Sequence, residues 1–348
     1  MDLPGREVGR ASEFATYYYV SKLGRRTAWT TTPPAKPAAK LSTKKFIGPL
    51  FRQGADVMPR GIVFHAAVKN GQGWNLGPIN AGSHFYFLRS DGHVLKDFKL
   101  TAKGVNNQVM FDVLISKHLA PYELAPGSKG LLPFSFGQSG WEARTGSSIA
   151  ALGAATKGAV NTALTAIGES IDEFFETVDT DRKKLSGQSW TDKDWIVFAS
   201  AGGMLPCAAY ASGSRIPCKK TVIDQTLYWG KVASEDEAIY ITALINSPAV
   251  IKIIQFHQPR GAFGERHIHK LTFDHTPAFD PANPKHAAVV FTTRELLTQW
   301  AKRRAQADII PYLGADKQLT TRRKKIRIAL AALPAWSDYE AVCAAVYM

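Results

Sequence analysis

Two helix-start signals lie close together in the second half of the chain and restrict how that half can fold. Ser234 and Glu237 have the spacing of a capping box, in which each side chain binds a free backbone amide at the start of a helix. Ser247 and Pro248 signal a second start, because proline is well tolerated at the first helical position. Apolar residues recur at helical spacing after each signal. The segment is therefore predicted to form two consecutive helices that end near His257.

A basic loop, residues 258–270, follows the predicted helix pair. It contains two glycines, two arginines, two histidines, a lysine and one phenylalanine. Asn283 and Pro284 then signal the start of a further helix. A short loop held between well-defined helices has a fixed position, which is what a recognition element needs. The pattern therefore predicts a contact surface.

Several sequence blocks around this loop occur in a distinctive order. They are Val222-Ile-Asp-Gln-Thr-Leu-Tyr-Trp229, Ser234-Glu-Asp-Glu-Ala-Ile-Tyr240, Leu244-Ile-Asn-Ser-Pro248, Arg260-Gly-Ala-Phe-Gly-Glu-Arg-His-Ile-His-Lys270, and Phe279-Asp-Pro-Ala-Asn-Pro284 with His286. In order and spacing these blocks resemble the C-terminal target-recognition region of adenine-N6 DNA methyltransferases from type II and type IIG restriction-modification systems. Residues 54–60 are similar to the start of that region, and residues 322–327 with the closing helix are similar to its end. The resemblance spans about residue 46 to the C terminus and is patchy between 137 and 188.

The chain departs from that family in the parts that carry catalysis. Such methyltransferases need a glycine-rich loop for S-adenosylmethionine and an Asn-Pro-Pro-aromatic motif that grips the flipped adenine. The Asn283-Pro284 pair is followed by Lys285, and no strand, Gly-x-Gly and helix unit occurs. The resemblance therefore implies a recognition part with no catalytic residues and no cofactor of its own. It also implies a separate methyltransferase subunit that binds S-adenosylmethionine, in a system of the phage-defence type.

Basic residues are concentrated at the two ends of the chain. The chain has a net charge of +14, from 43 Lys and Arg against 29 Asp and Glu. Residues 1–60 hold 11 basic and 4 acidic residues, residues 301–327 hold 9 and 2, and the rest of the chain is balanced. Two basic ends favour a polyanionic partner bound through its backbone, although solvated basic tails would give the same count.

Together with the resemblance, this charge predicts that the loop binds double-stranded DNA. The predicted DNA-contacting residues are Arg260, Gly261, Phe263, Gly264, Arg266, His267, His269 and Lys270, with Arg60 as an additional phosphate contact. Arginine can read guanine in the major groove, histidine and lysine can hold phosphates, and glycines permit close backbone approach. The alternative is that this loop braces the recognition part against the catalytic subunit, and Arg60 can equally be an ordinary surface arginine.

A second predicted DNA contact is a phosphate track near the C terminus. It comprises Arg303, Arg304, Arg322, Arg323 and Lys324. The first two lie in the last turns of a helix predicted over residues 287–307, where the helix dipole also favours cations. Ser337 and Glu340 predict a capped final helix.

The pattern of elements predicts an α+β fold in three parts. Residues 1–45 form a basic, proline-rich arm or linker. Residues 46–220 form a mixed part of short strands, at about 62–68, 84–89, 94–100, 109–115, 131–136 and 194–200, with a helical insertion at about 147–186. Residues 221–348 carry the recognition loop and a helical C-terminal part.

Other chemistries have weaker signals. Five histidines fall between residues 257 and 286, but no carboxylate or cysteine in the same register supports a zinc site, and no metal is predicted. Three cysteines without ligand spacing indicate reduced packing residues. No apolar run is long enough to span a bilayer, so we expect no membrane partner and a cytoplasmic, nucleoid-associated location. Two other functions stay open: an inactive remnant of a full-length methyltransferase, and a stand-alone DNA-binding or restriction component.

Overall fold

The computed structural model describes residues 18–23, 26–30, 46–78, 98–200, 206–254 and 268–348. It confirms an α+β fold. The strands are β1 (Tyr18–Leu23), β2 (Arg26–Thr30), β3 (Arg52–Gln53), β4 (Ala66–Asn70), β5 (Gly73–Gly77), β6 (Ala102–Asn106), β7 (Met110–Leu114), β8 (Leu119–Ala120), β9 (Glu123–Leu124), β10 (Ser128–Leu131), β11 (Phe134–Gly137), β12 (Gly140–Ala143), β13 (Trp195–Ser200), β14 (Ala208–Ser212), β15 (Thr221–Ile223) and β16 (Leu227–Val232). The helices are α1 (Arg60–Val63), α2 (Gly146–Ala150), α3 (Ala154–Ile167), α4 (Ile171–Lys183), α5 (Glu235–Asn246), α6 (Pro248–Ile254), α7 (Ile268–His275), α8 (Pro284–Arg303), α9 (Leu319–Ala331) and α10 (Trp336–Ala345).

Two small sheets join distant parts of the chain. One has the order β14-β13-β16-β3 and is antiparallel throughout. The other has the order β10-β7-β15, in which β7 and β15 run parallel and Val222 lies opposite Val113. Each sheet therefore contains strands from both sides of residue 220, so the predicted boundary at 220/221 lies within shared sheets.

The strand predictions succeed where the apolar run is uninterrupted. Predicted strands at 109–115 and 194–200 correspond to β7 and β13. The strand predicted at 131–136 is wrong in extent, because Pro133 separates β10 from β11. The strand predicted at 62–68 is also wrong, since the chain forms α1 and then begins β4 only at Ala66. A short apolar run can be buried equally well in a helical turn or a strand, and its pattern does not distinguish them.

The strands predicted at 84–89 and 94–100 lie outside the described residues, apart from 98–100, which form no strand. The small-residue segment after residue 146 forms α2, α3 and α4. Within α3, Gly158 has open space around it rather than a tightly packed neighbour. One face of α3 still contributes Val160, Leu164 and Ile167 to the core that Phe111 and Phe174 share.

Helix α5 is the centre of the C-terminal half. Every residue from Ala238 to Asn246 is buried, because β13 and β14 cover one side of the helix and α8 covers another. The side-chain amide of Asn246 binds both the backbone N–H and the carbonyl of Ala208, at 3.0 and 2.9 Å. A helix that is apolar all round is expected to be enclosed, and α5 shows this arrangement.

Residues 46–220 contain most of the strands, and we call them the strand-rich part. Helix α9 is fixed to this part by a fully buried arginine. The exposed fraction of Arg322 is 0%. Its guanidinium donates to the carbonyls of Tyr312 at 2.8 Å, Leu313 at 3.1 Å and His118 at 3.3 Å, and also to the carbonyl of Lys117. These carbonyls belong to segments far apart in sequence, so one side chain closes several contacts at once.

The final helix begins differently from the prediction. It starts at Trp336, and Ala335 at its N-cap makes no side-chain hydrogen bond. The backbone N–H of Trp336 instead binds the carbonyl of Leu333 at 3.0 Å, so a preceding turn leads directly into the helix. The predicted cap at Ser337 is therefore wrong.

Replacing Arg322 should destabilise the fold strongly. Arg322→Met keeps most of the side-chain volume but leaves the four carbonyls without their charged donor, and hydrogen bonds to charged groups are worth more than neutral ones. We expect the free energy of unfolding to fall by about 3 kcal/mol in urea titrations. Lys324→Met on the exposed face of α9 is the matched control and should change it by less than about 0.5 kcal/mol. Equal effects of the two variants would contradict this account of Arg322.

Candidate nucleic-acid interface

The helices that lead into the predicted recognition loop begin where the sequence predicts. The Ser234 hydroxyl accepts a hydrogen bond from the N–H of Glu237 at 3.2 Å. The Glu237 carboxylate accepts from the N–H of Ala233 at 2.9 Å, one residue earlier than a regular capping box. Pro248 is the first residue of α6, and the Ser247 hydroxyl donates back to the carbonyl of Leu244 at 2.9 Å.

The centre of the loop lies outside the described residues, which end at Ile254 and resume at Ile268. This gap contains Arg260, Gly261, Phe263, Gly264, Arg266 and His267. His269 and Lys270 belong to the first turn of α7, where the structure describes the backbone only. DNA contact by these residues therefore stays a prediction.

Helix α7 attaches the exit of the loop to the start of the strand-rich part. The rings of Phe273 and Phe51 stack, with centroids 4.1 Å apart and an angle of 11° between their planes. The N–H of Ile47 donates to the carbonyl of Thr276 at 3.1 Å. Both ends of the loop are thus attached to packed elements: α6 on the N-terminal side and α7 on the C-terminal side.

The turn that leads from α7 to α8 is also well defined. The Asn283 side chain accepts from the N–H of Lys285 at 3.0 Å, and Pro284 occupies the first helical position, as predicted. The helix covers Pro284–Arg303 rather than 287–307. His286 accepts a hydrogen bond from the N–H of Asp280 at 3.0 Å and packs 4.6 Å from the Tyr240 ring. Its role is therefore to hold this turn together.

Arg60 forms a buried ion pair. Its guanidinium lies 2.5 Å from the Asp224 carboxylate, and the exposed fractions of the two side chains are 12% and 0%. Asp224 also accepts from the N–H and the hydroxyl of Thr226, at 2.9 and 2.6 Å. Burial raises the pKa of Asp224, while Arg60 and these hydrogen bonds lower it. The pair joins α1 to the turn between β15 and β16, so Arg60 has little surface for a phosphate.

The predicted phosphate track divides into buried and surface residues. Arg322 is enclosed, and Arg323 donates to the carbonyls of Leu119 and Ser116 at 3.0 and 3.1 Å. Arg303 forms two hydrogen bonds with Asp308, at 2.7 and 2.6 Å. Lys324 is exposed. Residues 322 and 323 therefore face the protein, whereas 303 and 324 face its surface.

Arg304 is the member of the track with the most unusual surroundings. It lies 2.8 Å from the Glu123 carboxylate, and 41% of its side chain is exposed. The other oxygen of Glu123 accepts from the Trp300 indole at 2.6 Å. Burial raises the pKa of Glu123, and the contacts with Trp300 and Arg304 oppose this effect. Arg304 therefore compensates a buried carboxylate and still reaches the surface.

A further group of cations was not singled out from the sequence. The Lys220 ammonium donates to the carbonyl of Asn107 at 2.6 Å, and Lys129 pairs with Asp112 at 2.6 Å. The Arg144 guanidinium binds the carbonyl of Phe134 at 3.0 Å. The adjacent lysines 219 and 220 were the only visible signal, because the other members come from distant segments.

One serine and histidine pair is close enough to consider nucleophilic chemistry. His118 Nε2 and the Ser128 hydroxyl are 3.2 Å apart. However, Nδ1 of His118 accepts the N–H of Ile115 at 2.9 Å, so the neutral ring carries its proton on Nε2 and donates to Ser128. Burial, Lys117 and Arg322 lower the pKa of His118 to about 3. In this tautomer His118 does not remove a proton from Ser128.

The described residues contain no group of three His, Cys, Asp or Glu side chains that could hold a metal ion. His257 and His267 lie outside those residues. Cys207, Cys218 and Cys343 are free and buried. Within the part of the chain that is described, no helix is both long enough and apolar enough to cross a membrane.

Buried neutral histidines should make the fold sensitive to acid. Burial lowers the pKa of His65 to about 4, against about 6.5 when unfolded, so only the unfolded chain binds this proton in that interval. The free energy of unfolding should therefore fall as pH drops from about 6.5 to 4, by up to about 1.4 kcal/mol per pH unit for one histidine. His118 acts in the same direction. In urea titrations at pH 4.5–7.5, the free energy of unfolding should decline less steeply with falling pH in His65→Leu than in wild type. Parallel curves for the two proteins would contradict this role of His65.

Comparisons with known proteins find similarity among solved structures. The sequence matches no protein family and no curated protein. Among solved structures, the chain is similar to the type IIL restriction-modification enzyme MmeI in complex with DNA, with 11% sequence identity and a TM-score of 0.39. The match covers 69% of this chain and 30% of MmeI, so the chain spans less than a third of that enzyme's length.

Proposed function

We propose that the chain is the DNA target-recognition part of an adenine-N6 DNA methyltransferase, within a restriction-modification system, and that a separate subunit carries catalysis. The observation that carries the proposal is the arrangement around residues 258–270. The sequence blocks that resemble a target-recognition region form β15, β16, α5, α6, α7 and the start of α8, on both sides of the loop. The caps at Ser234 and Asn283 fix the starts of α5 and α8.

The composition of the loop fits a DNA-reading role. Arg260 and Arg266 can each donate two hydrogen bonds to a guanine edge, a contact with strong base preference. His267, His269 and Lys270 can neutralise phosphates, which positions the loop without specifying sequence. Gly261 and Gly264 permit close approach of the backbone, and Phe263 can pack against the DNA.

The partner would supply the chemistry that this chain lacks. A methyltransferase subunit would bind S-adenosylmethionine and take the target adenine out of the duplex into its own pocket. The present chain would select the site and strengthen binding through its positive charge. A neighbouring reading frame encoding Asn-Pro-Pro-Tyr would be the expected genomic companion.

DNA binding should be a property of this chain, and methyl transfer should require the second subunit. The purified chain should bind duplex DNA, and its affinity should fall steeply with salt because phosphate contacts release counterions. Transfer of labelled methyl groups to adenine should require addition of the co-purifying methyltransferase. Absence of DNA binding at low salt would contradict the proposal, and so would methyl transfer by the chain alone. Magnesium-dependent nicking by the chain alone would support the restriction component instead.

Loss of Arg266 should alter the selected sequence. We expect wild-type chain to enrich a defined site from a randomised duplex pool, and Arg266→Ala to enrich a site with one relaxed position. A lost bidentate base contact costs about 1–3 kcal/mol, so affinity for the wild-type site should also fall roughly 5- to 150-fold. Lys252→Ala, an exposed lysine on α6, is the control and should leave the site unchanged. An identical site for Arg266→Ala would favour the bracing role of the loop.

A further inference from the structure

Five cations lie at or beside one open cleft in the strand-rich part: Arg215 and Lys220 line it, and Lys129, Arg144 and Lys219 interact electrostatically with Lys220. We call them the cleft cations: Lys129, Arg144, Arg215, Lys219 and Lys220. Nearby carboxylates include Asp112, which pairs with Lys129, and Glu142, which interacts with Arg144. Glu123, close to Arg215, is already paired with Arg304. Positive charge therefore exceeds negative charge around the cleft.

Lys220 is held by a neutral carbonyl rather than by a carboxylate. Its ammonium group binds a neutral carbonyl, that of Asn107, and lies 5.3 Å from the centre of the Phe111 ring. Burial lowers the pKa of Lys220, Arg144, Lys129 and Lys219 lower it further, and Asp112 raises it. A cation that is partly desolvated and surrounded by other cations gains energy from any added anion.

The cleft itself has a volume of about 240 Å³. Its polar lining includes Asp112, Arg215, Lys220 and Thr221, and its apolar lining includes Leu114 and Ile216. The close turn at Gly127 forms another wall, where an added Cβ would lie 3.0 Å from the backbone nitrogen of Val113. Arg215 and Lys219 are exposed, so an anion can reach both side chains from solvent.

The backbone positions around the cleft span a width that suits an extended anion. Lys129 on β10 and Thr221 on β15 both lie opposite Asp112 on the intervening strand β7. Because adjacent strands are about 4.8 Å apart, these outer positions are separated by roughly 10 Å. Successive phosphates of a nucleic-acid strand can lie across a surface of this width.

The cleft also connects with the phosphate track predicted from the sequence. Arg215 interacts electrostatically with Glu123, and Glu123 is the partner of Arg304. Leu124, the residue after Glu123, lines the cleft. Basic side chains therefore extend from Lys129 and Lys220 through Arg215 to Arg304, with the carboxylate of Glu123 between the last two. Arg322 and Arg323 are not part of this group, because their guanidinium groups donate to main-chain carbonyls.

We infer that the cleft cations, continuing to Arg304, hold the phosphate backbone of duplex DNA. The inference rests on the proposed function, because it names a second surface by which the same chain would grip its DNA. The recognition loop would read bases, and the cleft cations would supply affinity that does not depend on sequence.

The test is the salt dependence of binding by Arg215→Gln/Lys219→Gln. Both residues are exposed, and within the described part of the chain neither side chain makes a hydrogen bond or a close ion pair, so the variant should melt like wild type. Loss of two phosphate contacts should reduce the slope of log affinity against log salt by about 2. The loss of affinity between 50 and 200 mM salt should then be roughly tenfold smaller than for wild type. The change should be the same for the selected site and for unrelated duplex.

The control variant is Lys193→Gln/Lys231→Gln, which removes the same charge near Asp194. It should retain the wild-type slope, and Arg215→Lys/Lys219→Arg should also retain it because both charges are kept. An unchanged slope in Arg215→Gln/Lys219→Gln would overturn the inference while leaving the loop proposal standing. Equal changes in the test and control variants would also overturn it, since they would reflect net charge alone. No DNA binding by wild type would overturn both proposals.

Discussion

Arg322, Arg323 and Arg327 hold helix α9 against the body of the protein through main-chain carbonyls rather than carboxylates. Arg327 donates to the carbonyl of Asn246 at 3.3 Å and to that of Pro206. Burial lowers the pKa of Arg322 and of Arg327, yet a guanidinium starts so far above neutrality that both remain charged. The planar group can satisfy several carbonyls at once, which an ammonium group cannot do with the same geometry. The contacts of α5, α9 and the segment 116–119 with one another depend on this arrangement.

This use of arginine changes how the charge of the chain is interpreted. The segment 322–327 contributes five cations to the sequence count, but three of them bind carbonyls within the fold. Arg60 likewise neutralises Asp224 inside the protein. A basic run in a sequence therefore overstates the positive surface of the folded chain. Conversely, Lys129, Arg144 and Lys220 come from separate segments and produce a basic surface that no single run reveals.

Sequence predicted the features that depend on neighbouring residues. The helix starts at Ser234, Pro248 and Asn283 follow from local satisfaction of backbone amides, and all three occur where expected. The start at Ser337 failed because a continuing turn from Leu333 supplied the same backbone bonds without a side-chain cap. The buried contacts of Arg60 and Arg322 were not predictable in this way, because their partners lie 164 residues and up to 205 residues away in the sequence. The prediction that the loop contacts DNA rests mainly on residues 260–267, which lie outside the described part of the chain.

The two proposed DNA contacts place different demands on the fold. A loop that reads base edges must be held within a fraction of an ångström, and here both flanks are anchored, by the buried α5 with α6 and by the stack of Phe273 on Phe51. A surface that holds phosphates acts through a longer-ranged Coulomb interaction and tolerates more freedom, which suits exposed side chains such as Arg215 and Lys219. The sheets made of strands from both halves of the chain connect these two regions. Phosphate binding at the cleft would therefore restrict where the loop meets the groove, so that affinity and selectivity arise from different residues but depend on one framework.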